Sequence, residues 1–127
     1  MLTLICGLPN AGKTTYSKRF DNPLHLDDIG TADNVIDKMK QLNGDVVVEG
    51  FFRTSADRKK IRSAYSGDAV CIFIDISVDE SIKRENRKRH PSILRNASKK
   101  FEPPTLDEGW DEIRVMRGGI NEQRIRR

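Results

Sequence analysis

The stretch Gly7-Leu8-Pro9-Asn10-Ala11-Gly12-Lys13-Thr14 constrains this chain more than any other feature. It fits G-x-x-x-x-G-K-[ST]. It also sits between an apolar β-type run, Leu2-Thr3-Leu4-Ile5-Cys6, and a helix-compatible run from Thr14 to Phe20. A strand that delivers the loop and a helix that follows it are what a phosphate-binding loop requires. Gly7 and Gly12 admit backbone conformations closed to residues with a Cβ and let the main chain approach an anion closely. The loop N–H groups, those of Asn10, Ala11 and Gly12 included, are expected to point at that anion, with Thr15 beside them at the helix start. Lys13 adds a full charge at the β- and γ-phosphates, and Thr14 offers a hydroxyl to Mg²⁺. ATP and Mg²⁺ are therefore the expected ligands.

Downstream, Asn22-Pro23 reads as a turn and Leu24-His25-Leu26 as a short strand ending at Asp27-Asp28. Val35, Ile36, Met39 and Leu42 recur at helical spacing over 31–42, and Asn43-Gly44 stops that helix. Asp45 to Gly50 reads as a buried strand ending in Glu49. A polar helix over 55–65 follows, capped by Thr54 or Ser55, and then a strand over 69–76. Ser77 or Asp79 caps a helix expected to run to Arg89. Pro91 breaks it, a second helical stretch covers 92–100, and 112–116 reads as the final strand before Gly118-Gly119 and a basic tail. Strands alternating with helices predict an α/β fold. The expected architecture is a three-layer P-loop NTPase sandwich of the kinase-like kind, with a mainly parallel sheet of four to five strands and a short Arg-bearing helical lid. A single domain over 1–127 is expected, with the lid at about 83–100 and the tail at about 117–127.

In such sheets ligands lie beyond the strand C-termini, and three informative ends meet there: the loop, Asp27 and Glu49. Asp27 is placed to take the proton of an acceptor hydroxyl, because that proton leaves late, as the new phosphorus–oxygen bond forms. The alternative is that Asp27 or Asp28 merely caps the following helix, and Asp28 is the lesser candidate for the base. Glu49 ends an apolar strand, where a metal-associated acid lies, and joins Thr14 as a metal candidate. Asp75, inside its strand, is a weaker one. Arg84, Arg87 and Arg89 are expected on one helix, where a lid would close. Arg84 would bind ATP, and Arg87 and Arg89 would stabilise the charge on the transferring phosphoryl group. Phe51, Phe52 and Arg53 are candidates for an acceptor wall, and His25, His90 and Trp110 receive no role.

Charge is uneven along the chain. Residues 83–100 carry +7 and 114–127 carry +4, while the remainder sums to −7. Positive charge is thus concentrated where a polyanion or a triphosphate could be held. No apolar stretch reaches membrane-spanning length, so no membrane partner is expected, and the absence of a charged, apolar leader predicts a cytoplasmic protein. Cys6 and Cys71, in apolar strands, read as buried reduced thiols.

Four segments together resemble the kinase domain of the polynucleotide 5′-hydroxyl kinase family. Gly7 through Thr15 is similar to that family's G-x-P-G-x-G-K-[ST]-T. His25-Leu26-Asp27-Asp28 resembles its N-R-D motif, with Leu26 in place of the Arg and Asp27 in place of the base. Glu80 through Arg89 resembles its Arg-bearing lid helix. Lys100 through Trp110 resembles its F-E-x-P-T-x-x-E-G-[FW] segment. The resemblance implies phosphoryl transfer from ATP to the 5′-hydroxyl end of a nucleic acid, with Asp27 as general base. Two other readings compete. One is a P-loop kinase for a small alcohol such as a nucleoside. The other is a regulatory ATP-binding module, against which the full Lys13, Thr14, Asp27 and arginine set argues, because binding alone needs no base.

Overall fold

A computed structural model describes residues 1–117 and 121–126. Six strands form one sheet: β1 (Leu2–Gly7), β2 (Leu24–His25), β3 (Val46–Glu49), β4 (Ala69–Asp75), β5 (Glu112–Arg117) and β6 (Asn121–Arg126). Their order is β2-β3-β1-β4-β5-β6, with the first five parallel and β6 antiparallel to β5. The helices are α1 (Lys13–Ser17), α2 (Leu26–Ile29), α3 (Ala32–Met39), α4 (Ser55–Ser63), α5 (Val78–Lys83) and α6 (Pro91–Lys100).

β1 and β4 are central, apolar on both faces and almost wholly buried, as the inner strands of a doubly covered parallel sheet must be. On one face Leu2, Leu4, Cys6, Val48, Cys71 and Ile113 meet Val35 and Met39 of α3, Ile61 of α4 and Trp110. On the other, Ile5, Val47, Val70, Ile72 and Ile74 meet Tyr16 of α1 and Phe20. The three-layer, mainly parallel arrangement is the expected one. Helix starts follow local chemistry: the hydroxyls of Thr31, Thr54 and Ser77 accept from the backbone N–H three residues on, each cap contributing about 1 kcal/mol.

Four expectations are corrected. The helix from Ser77 ends at Lys83, with Arg84 as its C-cap, so Arg84, Arg87 and Arg89 do not lie on one helix, Arg84 and Arg87 share no helix face, and the segment before Pro91 is irregular. Lys83 with Arg87, and Arg84 with Lys88, would be like charges four apart on a helix, and Lys88 instead takes a left-handed φ of 61°. Pro91 does not break a helix but opens one, at the first turn of α6, where its missing N–H costs nothing. Leu26 is not in a strand: β2 stops at His25, and Asp27 and Asp28 occupy the first turn of α2, where carboxylates oppose the helix dipole. The sheet also has one strand more than expected, because the tail folds back as β6. Gly118, Gly119 and Arg127 lie outside the described residues. No helix among the described residues is long and apolar enough to cross a membrane.

Candidate active site

The phosphate loop leaves β1 at Gly7, whose φ is 152° and where a Cβ would stand 2.5 Å from the Ile74 carbonyl oxygen. Gly12, at φ 95°, turns the chain into α1. Lys13 folds back over the loop and donates to the carbonyls of Gly7 (2.9 Å) and Leu8 (2.7 Å). Burial pulls its ammonium below the usual lysine range, against the opposing attraction of Glu49 and Asp27 and with Arg89 adding to the repulsion. Lys13, Asp27, Glu49 and Arg89 therefore share one electrostatic environment.

A cavity of about 380 Å³ opens above this loop. Asn10, Gly12, Lys13, Thr14, Thr15, Asp27, Glu49, Arg84, Arg87 and Arg89 all line it. Thus the residues marked in the sequence converge from four separate segments. Gly7 and Ala11 do not line it; Ala11 is buried beneath the loop. Asp28, one position after Asp27, is exposed and off the wall, and Asp75 pairs with Arg117 (3.2 Å) away from it.

Glu49 is buried and fixed on two sides. Thr14 Oγ1 donates to its Oε1 (3.3 Å), and His25 Nδ1 lies 2.7 Å from the same oxygen. His25 and Glu49 are register partners on β2 and β3, so the sheet itself brings them together. A hydroxyl and a carboxylate are hard oxygen donors. No cluster of three or more His, Cys, Asp or Glu that could hold a metal occurs among the described residues. A cation completed by nucleotide phosphates rather than by a protein cage fits that donor set, and Mg²⁺ binds in this way.

Phe51, a candidate for the acceptor wall, lines the cavity, whereas Phe52 is buried in the core at a φ of 39°. Sequence reasoning missed other members of the site, among them Asn86, which also lines the cavity. Phe51 stacks on Phe101 (5.8 Å, 6°), which contacts Phe73 in turn. Glu85 binds Arg89, and Asn10 joins both to the loop. Ser81 of α5 donates to the Pro9 carbonyl (2.7 Å), and Arg84 to that of Asn10 (3.2 Å). The one signal available for these contacts was an Asn at a loop position suited to glycine.

The segment resembling F-E-x-P-T-x-x-E-G-[FW] lies outside the cavity and braces its wall. Arg58, fully buried on α4, makes two hydrogen bonds of 2.9 Å to Glu108 and donates to the Phe52 carbonyl (2.6 Å), fixing the loop that carries Phe51. Trp110 Nε1 donates to the same Glu108 (2.9 Å), and Thr105 and Glu108 form a capping box. His90 only caps α6.

No family model matches the chain, and no curated protein gives a significant match. Among solved structures, a gluconokinase from Sinorhizobium meliloti 1021 is similar with a TM-score of 0.69 and 14% identity, over 91% of this chain and 81% of that one. The order of the sheet, the loop after β1 and this likeness agree: the chain has the fold of a P-loop kinase.

Proposed function

We propose that the chain is an ATP-dependent phosphotransferase that moves the γ-phosphoryl group to the hydroxyl of a small molecule. One observation carries the reading: a phosphate loop, the carboxylate of Asp27 at the start of α2 and three arginines from one segment face a single cavity. In this reading Lys13 exchanges its Gly7 and Leu8 carbonyls for the β- and γ-phosphates. Loop N–H groups and Thr15 hold the rest of the triphosphate. Asp27 orients the acceptor hydroxyl and accepts its proton as the phosphorus–oxygen bond forms. Arg87 and Arg89 face the charge that spreads over the transferring oxygens, with Arg84 on the nucleotide side. Thr14 and Glu49 hold Mg²⁺, which when bound neutralises phosphate charge. The structural neighbour named for gluconate phosphorylation supports a small alcohol as acceptor.

A second reading, transfer to a polynucleotide 5′-hydroxyl, has one observation in its favour. Lys83, Arg87, Lys88, Arg95, Lys99 and Lys100 are exposed and make no ion pair among the described residues. The tail favours it less than its composition does. Arg114, Arg124 and Arg126 converge on Glu112, with Glu122 beside them, so most of the tail's charge is already paired. Labelled ATP and Mg²⁺, offered with simple polyols, nucleosides and 5′-hydroxyl oligonucleotides of several lengths, separate the two. A small-molecule kinase phosphorylates the short acceptors with a KM nearly independent of salt. Transfer confined to long oligonucleotides, with KM rising steeply with salt through counterion release, would reject the first reading in favour of the second. ATP turnover indifferent to every acceptor would leave only a nucleotide-binding role.

A further inference from the structure

We infer that Glu85 and Asn10 are positioning residues for Arg89: Asn10 anchors Glu85 to the phosphate loop, and Glu85 sets the Arg89 guanidinium over that loop before any nucleotide arrives. The inference rests on the reading of Arg89 as a phosphate-facing cation. The geometry is two-sided. Glu85 Oε2 accepts from Arg89 Nε (2.5 Å) and Oε1 from Nη2 (3.0 Å), a planar, bidentate pair. That uses the edge of the guanidinium bearing Nε and leaves the Nη1 donors for an anion. From the other side, Asn10 Nδ2 donates to Glu85 Oε1 (3.3 Å) and to the Ser81 carbonyl (2.9 Å), while Arg89 Nη2 donates to Asn10 Oδ1 at 3.5 Å. One amide thus touches acid, base and the end of α5 together.

This is not an ordinary surface pair. Residues 84–90 are not helical, so the four-residue spacing does not itself bring the two charges together. The Glu85 side chain is only 7% exposed although it lies in the most basic stretch of the chain. The Arg89 hydrogen bonds hold its carboxyl at about 2, against burial and with help from Asn10, so it is ionised at every working pH. Asn10 takes a left-handed φ of 67°, a conformation that glycine would adopt more freely. Its amide supplies what glycine lacks, a bridge to segment 84–90. Arg89 in turn feels the charge of Asp27 and repels that of Lys13, which puts it at the centre of the site. An arginine fixed in advance loses less freedom when the phosphate binds, and the benefit falls on the transfer step rather than on ATP affinity.

Two substitutions test this without breaking the loop. Glu85→Gln keeps the side-chain shape but removes the charge and the bidentate acceptor. Asn10→Gly keeps the left-handed turn but removes the bridge. Glu85→Gln is expected to lower kcat by about tenfold to a hundredfold, with the Kd for ATP changed by less than about threefold. On an Arg89→Ala background it is expected to lower kcat no further, because Glu85 acts through that arginine. In nucleotide-free protein, both variants are expected to speed hydrogen exchange at the amides of 84–90 while β1 and β4 stay protected. Unchanged kcat, an undiminished loss on the Arg89→Ala background, or unchanged exchange would each overturn the inference. The exchange arm uses neither ATP nor acceptor. Wild-type protein that transfers phosphate to nothing would therefore sink the kinase reading, while exchange would still decide for or against the pair.

Discussion

The Lys13 ammonium lies against two carbonyls of its own loop, and its removal takes nothing from the core. Lys13→Ala should therefore fold normally, with a Tm within a few degrees of wild type, yet lose at least about a hundredfold in turnover if, as proposed, the charge acts on the phosphates in the transition state. Turnover and a thermal melt on one preparation check both halves. Asp27 and Asp28 are adjacent in the first turn of α2, but only Asp27 faces the cavity. Asp27→Asn should lower kcat by about a hundredfold or more with ATP affinity little changed, and Asp28→Asn should do neither. Acceptor kinetics with an equilibrium ATP titration would show it; the reverse ranking would mean that Asp28 is the base. Single residues were the most legible level of this chain. Lys13, Thr14, Asp27 and Glu49 announce their proposed roles by residue type and by position at or just beyond a strand end. Glu85 and His25 do not, because each acts through a partner found only when the chain folds: Asn10 and Arg89 for one, Glu49 for the other.

Among the elements, α4 and the segment 100–110 depend most on one bond. Arg58 and Glu108 are both buried and hydrogen-bonded to each other and to Phe52 and Trp110. Glu108→Gln leaves a buried guanidinium without its counter-charge and should destabilise the protein by about 3–5 kcal/mol. Burial alone would raise the Glu108 carboxyl, but its hydrogen bonds with Arg58 and Trp110 hold it below its ordinary value of 4.5. A folded value below the unfolded one gives stability that is whole above about pH 4.5 and lost as the pH falls through the folded value. Wild-type Tm should thus drop in that acid window, and the Glu108→Gln variant should drop less; parallel melts between neutral and strongly acid pH measure the difference. Element types were read well where periodicity was strong, as in α3 and β4. They were misread over 84–90, where the like charges four apart and the bonds of Asn10 to Arg84, Glu85 and Arg89 oppose a helix, and at Leu26, where two acids start a helix instead of ending a strand.

For the whole molecule, the parallel sheet was legible because β1, β3 and β4 are apolar runs, the first followed by the phosphate loop and the second ending in Glu49. β6 was not. Asn121 to Arg126 offers one large apolar residue, Ile125, and its pairing with β5 rests on facing Glu and Arg side chains that a hydrophobic pattern does not reveal. Cys6 and Cys71, the chain's two cysteines, sit at the centre of that sheet on neighbouring strands, fully buried, with their sulfurs 3.8 Å apart. Burial also pushes the Cys71 thiol well above its ordinary value, so the reactive thiolate is scarce while the fold is intact. An alkylating reagent should therefore leave the native protein unmodified and add twice to the denatured one. In native buffer the doubly modified mass should appear without a single-adduct intermediate, since exposing either sulfur means lifting the layer of α3, α4 and Trp110 off the sheet face that carries both. The two thiols then serve as an internal clock for rupture of that layer from the sheet. Their alkylation rate, followed by mass spectrometry with and without nucleotide, reads how far a filled cavity slows that rupture.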